Sequence, residues 1–171
     1  MASAPLAPEF LELLNAHQPR LRRVARLYCA DADDRQDLYQ EIVLQLWRAW
    51  PRYEARPDVQ VGTWLYRVAL NVAISDLRRR GRQPAAARLP GPDGLPEMPA
   101  PPPEGPDPDD LLELYRAIAR LSDVEKAFVL LYLEEKTYAE MADILGITQN
   151  NVRVKMHRVQ DKLRQLLTQP A

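Results

Sequence analysis

The sequence is poor in several things that would assign it a class outright. One cysteine, Cys29, in 171 residues excludes an intramolecular disulfide framework and a Cys-rich zinc site, and favours a reducing compartment. No apolar run approaches the roughly 18 residues of a membrane span, and the N-terminus lacks a basic stretch followed by an apolar one. A soluble, cytoplasmic protein without membrane insertion is expected. No Gly-rich phosphate loop is present, and His157 reads as a phosphate or solvent contact rather than a metal ligand, so no catalytic residue, metal or cofactor is expected. An excess of charge is also lacking: 23 Lys plus Arg face 24 Asp plus Glu, a net −1. That balance would argue against a polyanionic partner only if the charge were evenly spread.

It is not evenly spread. Residues 1–83 carry 13 arginines and 10 acids (+3), 84–108 one base and four acids (−3), 109–146 four bases and nine acids (−5), and 147–171 five bases and one acid (+4). Two basic segments separated by acidic ones are compatible with polyanion binding at two places. Ten of the 16 prolines and three of the six glycines fall within 84–108, which reads as an extended, semi-rigid linker. The organisation expected is a domain at 8–83, a linker at 84–108 and a second domain at 109–168. In polyproline II geometry, at about 3.1 Å per residue, such a linker spans up to about 75 Å.

Both domains read as all-α, because apolar residues recur with a 3.6-residue period and no convincing alternation of period two occurs. In the first, Phe10, Leu13, Leu14, His17, Leu21, Val24 and Leu27 form one stripe. Asp33 or Asp34 is expected to cap a second helix carrying Leu38, Ile42, Val43 and Leu46, and Thr63 a third carrying Leu65, Val68, Val72 and Leu77. Pro51 to Gly62 reads as a loop. In the second domain, Ser122 with Glu125 and Thr137 with Glu140 are capping boxes that open helices near 123–135 and 138–145.

Gly146-Ile147-Thr148 then gives a left-handed stop, a residue to bury beneath the turn and a cap for the next helix. Two short helices joined in this way make a helix-turn-helix, whose second helix enters the major groove by its N-terminal residues. Val152, Met156, Val159, Leu163 and Leu166 face inward. Gln149, Asn150, Asn151, Arg153, Val154, Lys155, His157 and Arg158 are left for the other faces. Asn and Gln pair with adenine edges, Arg and Lys with guanine or phosphate, and Val154 suits a thymine methyl. The alternative is a helical hairpin that packs on something else, its polar face solvated.

In the first domain, Arg67, Asn71, Ile74 or Ser75, and Arg78 form a stripe opposite the core side of the third helix, followed by Arg79, Arg80 and Arg82. Trp47, Trp50, Tyr53, Trp64 and Tyr66 lie close in sequence. Cations interleaved with aromatics suit single-stranded DNA, where bases stack on rings while Arg tracks phosphates. Trp47 and Trp64 fit a core role as well, and Tyr53, in the loop, is the better stacking candidate. Asp37, Gln40, Glu41, Leu44 and Arg48 share one mostly acidic face, read by itself as a solvated one.

At this point a resemblance becomes specific. Asp34-Arg-Gln-Asp37-Leu-Tyr-Gln40-Glu41, Trp64-Leu-Tyr-Arg67-Val-Ala-Leu-Asn71-Val-Ala73 and Asp76-Leu-Arg78-Arg79 resemble the second region of the extracytoplasmic-function sigma factors of the sigma-70 family. Leu121 to Lys126, Tyr138 to Ala142 and Gly146 to Arg153 resemble its fourth region. The resemblance implies an all-α, non-catalytic subunit of bacterial RNA polymerase that directs core enzyme to promoters. It implies docking of Asp34, Asp37, Gln40, Glu41 and Leu44 on the β′ clamp helices, with the β flap as a second polymerase contact. It also implies capture of the melted −10 element by Tyr53, Tyr66, Arg67, Asn71, Arg78 and Arg79. Duplex −35 binding is implied for Thr148 and the residues from Gln149 to Arg158 named above, and an anti-sigma factor as a further partner. Asn151, Val154 and Lys155 depart from the family's usual residues, so promoter preference does not carry over.

Overall fold

A computed structural model describes residues 7–81 and 108–168; the proposed linker, Pro108 apart, and Arg82 lie outside them. The described residues form seven α-helices and one 3₁₀ turn, without a strand, in two compact units treated separately below. None of these helices is long and apolar enough to cross a membrane.

The N-terminal unit consists of α1 (Pro8–Tyr28), α2 (Ala32–Ala49), a 3₁₀ turn (Trp50–Arg52) and α3 (Val61–Gly81). Pro8 occupies the first turn of α1, where a missing N–H costs nothing. The cap of α2 is Asp31, neither Asp33 nor Asp34: its Oδ1 accepts from the amides of both, at 2.9 and 3.1 Å. Asp31 is extended (φ −76°, ψ 141°), as an N-cap must be, while the two later aspartates already lie in the first turn.

The helix α3 likewise starts earlier than expected. Thr63 is 3% exposed inside it, not at its cap. Its core register is also turned from the Leu65, Val68, Val72, Leu77 expectation. Leu65, Tyr66, Ala69, Leu70 and Ala73 are buried, packing toward Phe10, Leu21 and Val24 of α1 and Leu38, Ile42 and Leu46 of α2. Alanines at 69 and 73 present little bulk between helices, so the apparent Val stripe is displaced to the flank. Arg22 lies over the Tyr39 ring at 4.7 Å and adds a cation–π contact between α1 and α2.

The C-terminal unit comprises α4 (Pro108–Ala119), α5 (Asp123–Leu133), α6 (Tyr138–Leu145) and α7 (Gln149–Thr168). Both capping boxes form. Ser122 and Glu125 exchange hydrogen bonds of 2.8 and 3.3 Å, and Thr137 and Glu140 exchange bonds of 2.8 and 3.2 Å. Phe128, Leu131, Met141, Ile144, Val152 and Met156 fill the core, with α7 packed on α4, α5 and α6. Lys162 of α7 donates to Glu125 of α5 at 2.7 Å, so one carboxylate serves a helix cap and a tie across the unit.

Candidate nucleic-acid interfaces

The turn between α6 and α7 is built by the residues the chemistry requires. Gly146 is left-handed (φ 66°, ψ 35°), and the Ile147 amide donates back to the Ala142 carbonyl at 3.1 Å. Ile147 is half-buried. Thr148 Oγ1 accepts from the Asn151 amide at 3.2 Å, fixing the first turn of α7. Val152, Met156 and Val159 point into the core, at 0%, 2% and 3% exposure, while Leu163 and Leu166 are only half-buried. Gln149, Asn150, Asn151, Arg153, Val154, Lys155, His157 and Arg158 are all exposed. Three amide side chains, two guanidinium groups, an ammonium and the exposed Val154 thus occupy one solvent-facing helix start. His157 Nε2 sits 3.3 Å from Asp161, whose other oxygen accepts from Arg164 at 2.7 Å.

On α3, Arg67, Asn71, Ser75, Arg78 and Arg79 are exposed. Arg79 donates to Asp76 at 2.7 Å. Tyr66 does not belong with them: it is 1% exposed, one register step round the helix, and its ring is core. A base cannot stack on it without unpacking α3. The aromatic residues nearby form a cluster that sequence alone did not connect. Phe10 meets Trp47 and Trp50, and Tyr53 is stacked on Trp50 (5.5 Å, 14°) and tilted against Trp64 (4.7 Å). Tyr53 remains half-buried at the edge of this cluster, with its orientation set by its neighbours.

On α2, Asp37, Gln40 and Leu44 are exposed and Asp34 and Glu41 half-buried. Glu41 accepts from Gln45 at 2.7 Å. Leu44, 39% exposed amid polar neighbours, gives this acidic face an apolar centre. Between α2 and α3 lies a cleft lined in part by Gln45, Ser75 and Asp76, none of which was singled out for the α2 face. Glu41, Asn71 and Arg79 line it too, and Asp76 is buried, at 7% exposure.

Residues 13–83 match the family described as Sigma-70 region 2, and residues 111–163 match Sigma-70, region 4. The chain is 30% identical over 159 residues to the RNA polymerase sigma factor CarQ of Myxococcus xanthus, covering 92% of this chain and 88% of that one. The chain belongs to the extracytoplasmic-function sigma factors of the sigma-70 family. It is also 30% identical over 168 residues to the ECF sigma factor SigE of Mycolicibacterium smegmatis, spanning 62% of that longer relative and 94% of itself. Among solved structures, the sigma factor RpoE of Bartonella quintana, in complex with the anti-sigma factor NepR, has the same fold. The TM-score is 0.73 at 22% identity, over 96% of this chain and all of that one. This sigma factor therefore carries its region 2 on α1 to α3 and its region 4 on α4 to α7.

Proposed function

We propose that this sigma factor brings RNA polymerase core enzyme to promoters and nucleates strand separation there without catalysing a reaction itself. The observation that carries this is that two separately packed units each expose a helix face suited to DNA. On α7 the exposed amides and cations from Gln149 to Arg158 would read the −35 duplex in the major groove. On α3 the exposed Arg67, Asn71, Arg78 and Arg79, with Tyr53 at the edge of the aromatic cluster, would take the −10 element as single strand. Residues 84–108 would tether the units, with reach enough for two elements about two helical turns, roughly 70 Å, apart.

The acidic face of α2, with Leu44 among Asp37, Gln40 and Glu41, is the proposed surface for the β′ clamp helices. Tyr132 and Leu133, 52% and 62% exposed at the end of α5, offer the region 4 unit an apolar surface for the β flap. Because RpoE is held by NepR, and CnrH by the cytosolic domain of CnrY, an anti-sigma partner is proposed for this chain too. Asn71→Ala tests the strand-separation role, since Asn71 is exposed and its loss leaves the core intact. Permanganate reactivity of −10 thymines should fall while −35 duplex binding is kept; reactivity equal to wild type would contradict the assignment.

A further inference from the structure

All four lysines of the chain, Lys126, Lys136, Lys155 and Lys162, lie in the region 4 unit, whereas the 13 cations of residues 1–83 are all arginine. The difference is chemical as well as electrostatic. A guanidinium keeps its proton and does not act as a nucleophile, while an amine that sheds its proton does. The faces proposed for the −10 strand and the −35 duplex therefore carry like charge and unlike reactivity.

The structure separates the four amines. Lys136 lies 3.6 Å from Glu140, its side chain only 9% exposed, and Lys162 donates to Glu125 at 2.7 Å. Lys126 is half-buried. Lys155 is exposed on α7, and no carboxylate among the described residues engages it. Asp161, the one acid of α7, is taken by His157 and Arg164 at 3.3 and 2.7 Å. Arg153 and Arg158, both exposed, lie within one turn of Lys155 along the helix. A cationic face that suits DNA phosphate also concentrates a small phosphate-bearing molecule beside this amine.

We propose that Lys155 is an acylation site that takes its acyl group from an acyl phosphate, and that the modification weakens −35 binding while leaving the arginine face of α3 unmodified. The ammonium first gives one proton to water. Its Nζ then attacks the carbonyl carbon: the N–C bond forms, the C–O bond to phosphate breaks, and the leaving phosphate takes the electron pair and a second proton from the nitrogen. The product is a neutral amide, so one cation of the −35 face is lost. The effect on binding rests on the −35 role above; the place of reaction does not.

The test incubates the full chain with acetyl phosphate, with and without a −35 duplex from a promoter recovered with the chain, and reads the occupancy of each lysine by peptide mass spectrometry. Lys155 should fill several-fold faster than the other three, and the duplex should protect it. The donor is then removed and the treated chain is assembled with core polymerase. Affinity for the −35 duplex should fall about tenfold, and the slope of log affinity against log salt by about 1, while binding to a fork that offers only the −10 single strand is kept. In Lys155→Arg, whatever its starting affinity, treatment should leave duplex binding unchanged. Equal occupancy of the four lysines, no protection by the duplex, a Lys155 amide without loss of duplex affinity, or the same loss in treated Lys155→Arg would each overturn the proposal. Untreated holoenzyme that bound the −35 duplex no better than a scrambled one would instead overturn the −35 role, and the claimed effect on binding with it.

Discussion

Glu135 lies in the turn between α5 and α6 with φ 56°, the described non-glycine residue with positive φ. Its amide donates to the Tyr132 carbonyl and the Lys136 amide to Leu131, both at 3.0 Å, so the hydrogen bonds closing α5 hold it there. A side chain in this conformation costs about 1–2 kcal/mol, of which glycine's extra flexibility would return part. Glu135→Gly should therefore stabilise the C-terminal unit by about 0.5–1 kcal/mol, seen as a rise of a few degrees in its unfolding midpoint. Gly146→Ala should do the reverse by about 1 kcal/mol, because nothing lies within 4 Å of an added Cβ and only backbone strain acts. An unchanged midpoint for Gly146→Ala would contradict this account. Gly146 was legible in sequence because glycine before a hydroxyl cap has few other uses. Glu135 was not, since its strain comes from backbone bonds that no residue type announces. Among Asp31, Asp33 and Asp34 any could cap α2, and only the backbone decides.

The helices themselves were legible where polar and apolar residues segregate cleanly, as on α7. On α3 the buried register departs from the one its large apolar residues suggest, because alanines and Tyr66 carry the core, and residue size is a poor guide to burial between close helices. The α5 and α6 starts, by contrast, follow directly from their capping boxes, and these make a prediction about pH. Burial pushes the Glu125 carboxyl up, but the hydrogen bonds from Lys162 and Ser122 and the Lys162 charge outweigh it, leaving its pKa below the ordinary value of 4.5. Glu140 is lowered by the Thr137 amide, against burial, with help from Lys136. A depressed carboxylate contributes stability that is full above its unfolded pKa and is lost as pH falls through the folded one. The C-terminal unit should thus lose stability below about pH 4.5, and Glu125→Gln with Glu140→Gln should flatten that fall in thermal unfolding at pH 7, 5, 4 and 3; an equally steep fall would contradict it. The acidic face of α2 is tested at the same scale. Asp37→Arg, at an exposed position, should weaken core-polymerase binding in a pull-down while leaving the unfolding midpoint unchanged, and unaltered retention would count against that face.

For the whole molecule, the net charge of −1 is the sum of parts with opposite tasks. Cations outnumber acids on α1, α3 and α7, and acids outnumber cations on α2 and in the stretch before Gly146. Two compact units are present, and the prolines gathered at 84–108 are the feature of the sequence that points to such a division. What sequence order hides is proximity: Lys162 reaches Glu125 across 37 residues, Phe10 joins the tryptophans of α2 and the following turn, and Glu41 comes to face Asn71 across a cleft. The central claim, that these faces together direct polymerase to promoters, is tested most directly by run-off transcription with purified core enzyme. Templates would carry promoters recovered from cells by their association with this chain. The full-length protein should convert inactive core into an enzyme that yields run-off product of one defined 5′ end, and mutation of the −35 or −10 sequence should abolish it. Binding of those promoters with no product above core alone would contradict the claim and leave a duplex-binding regulator instead.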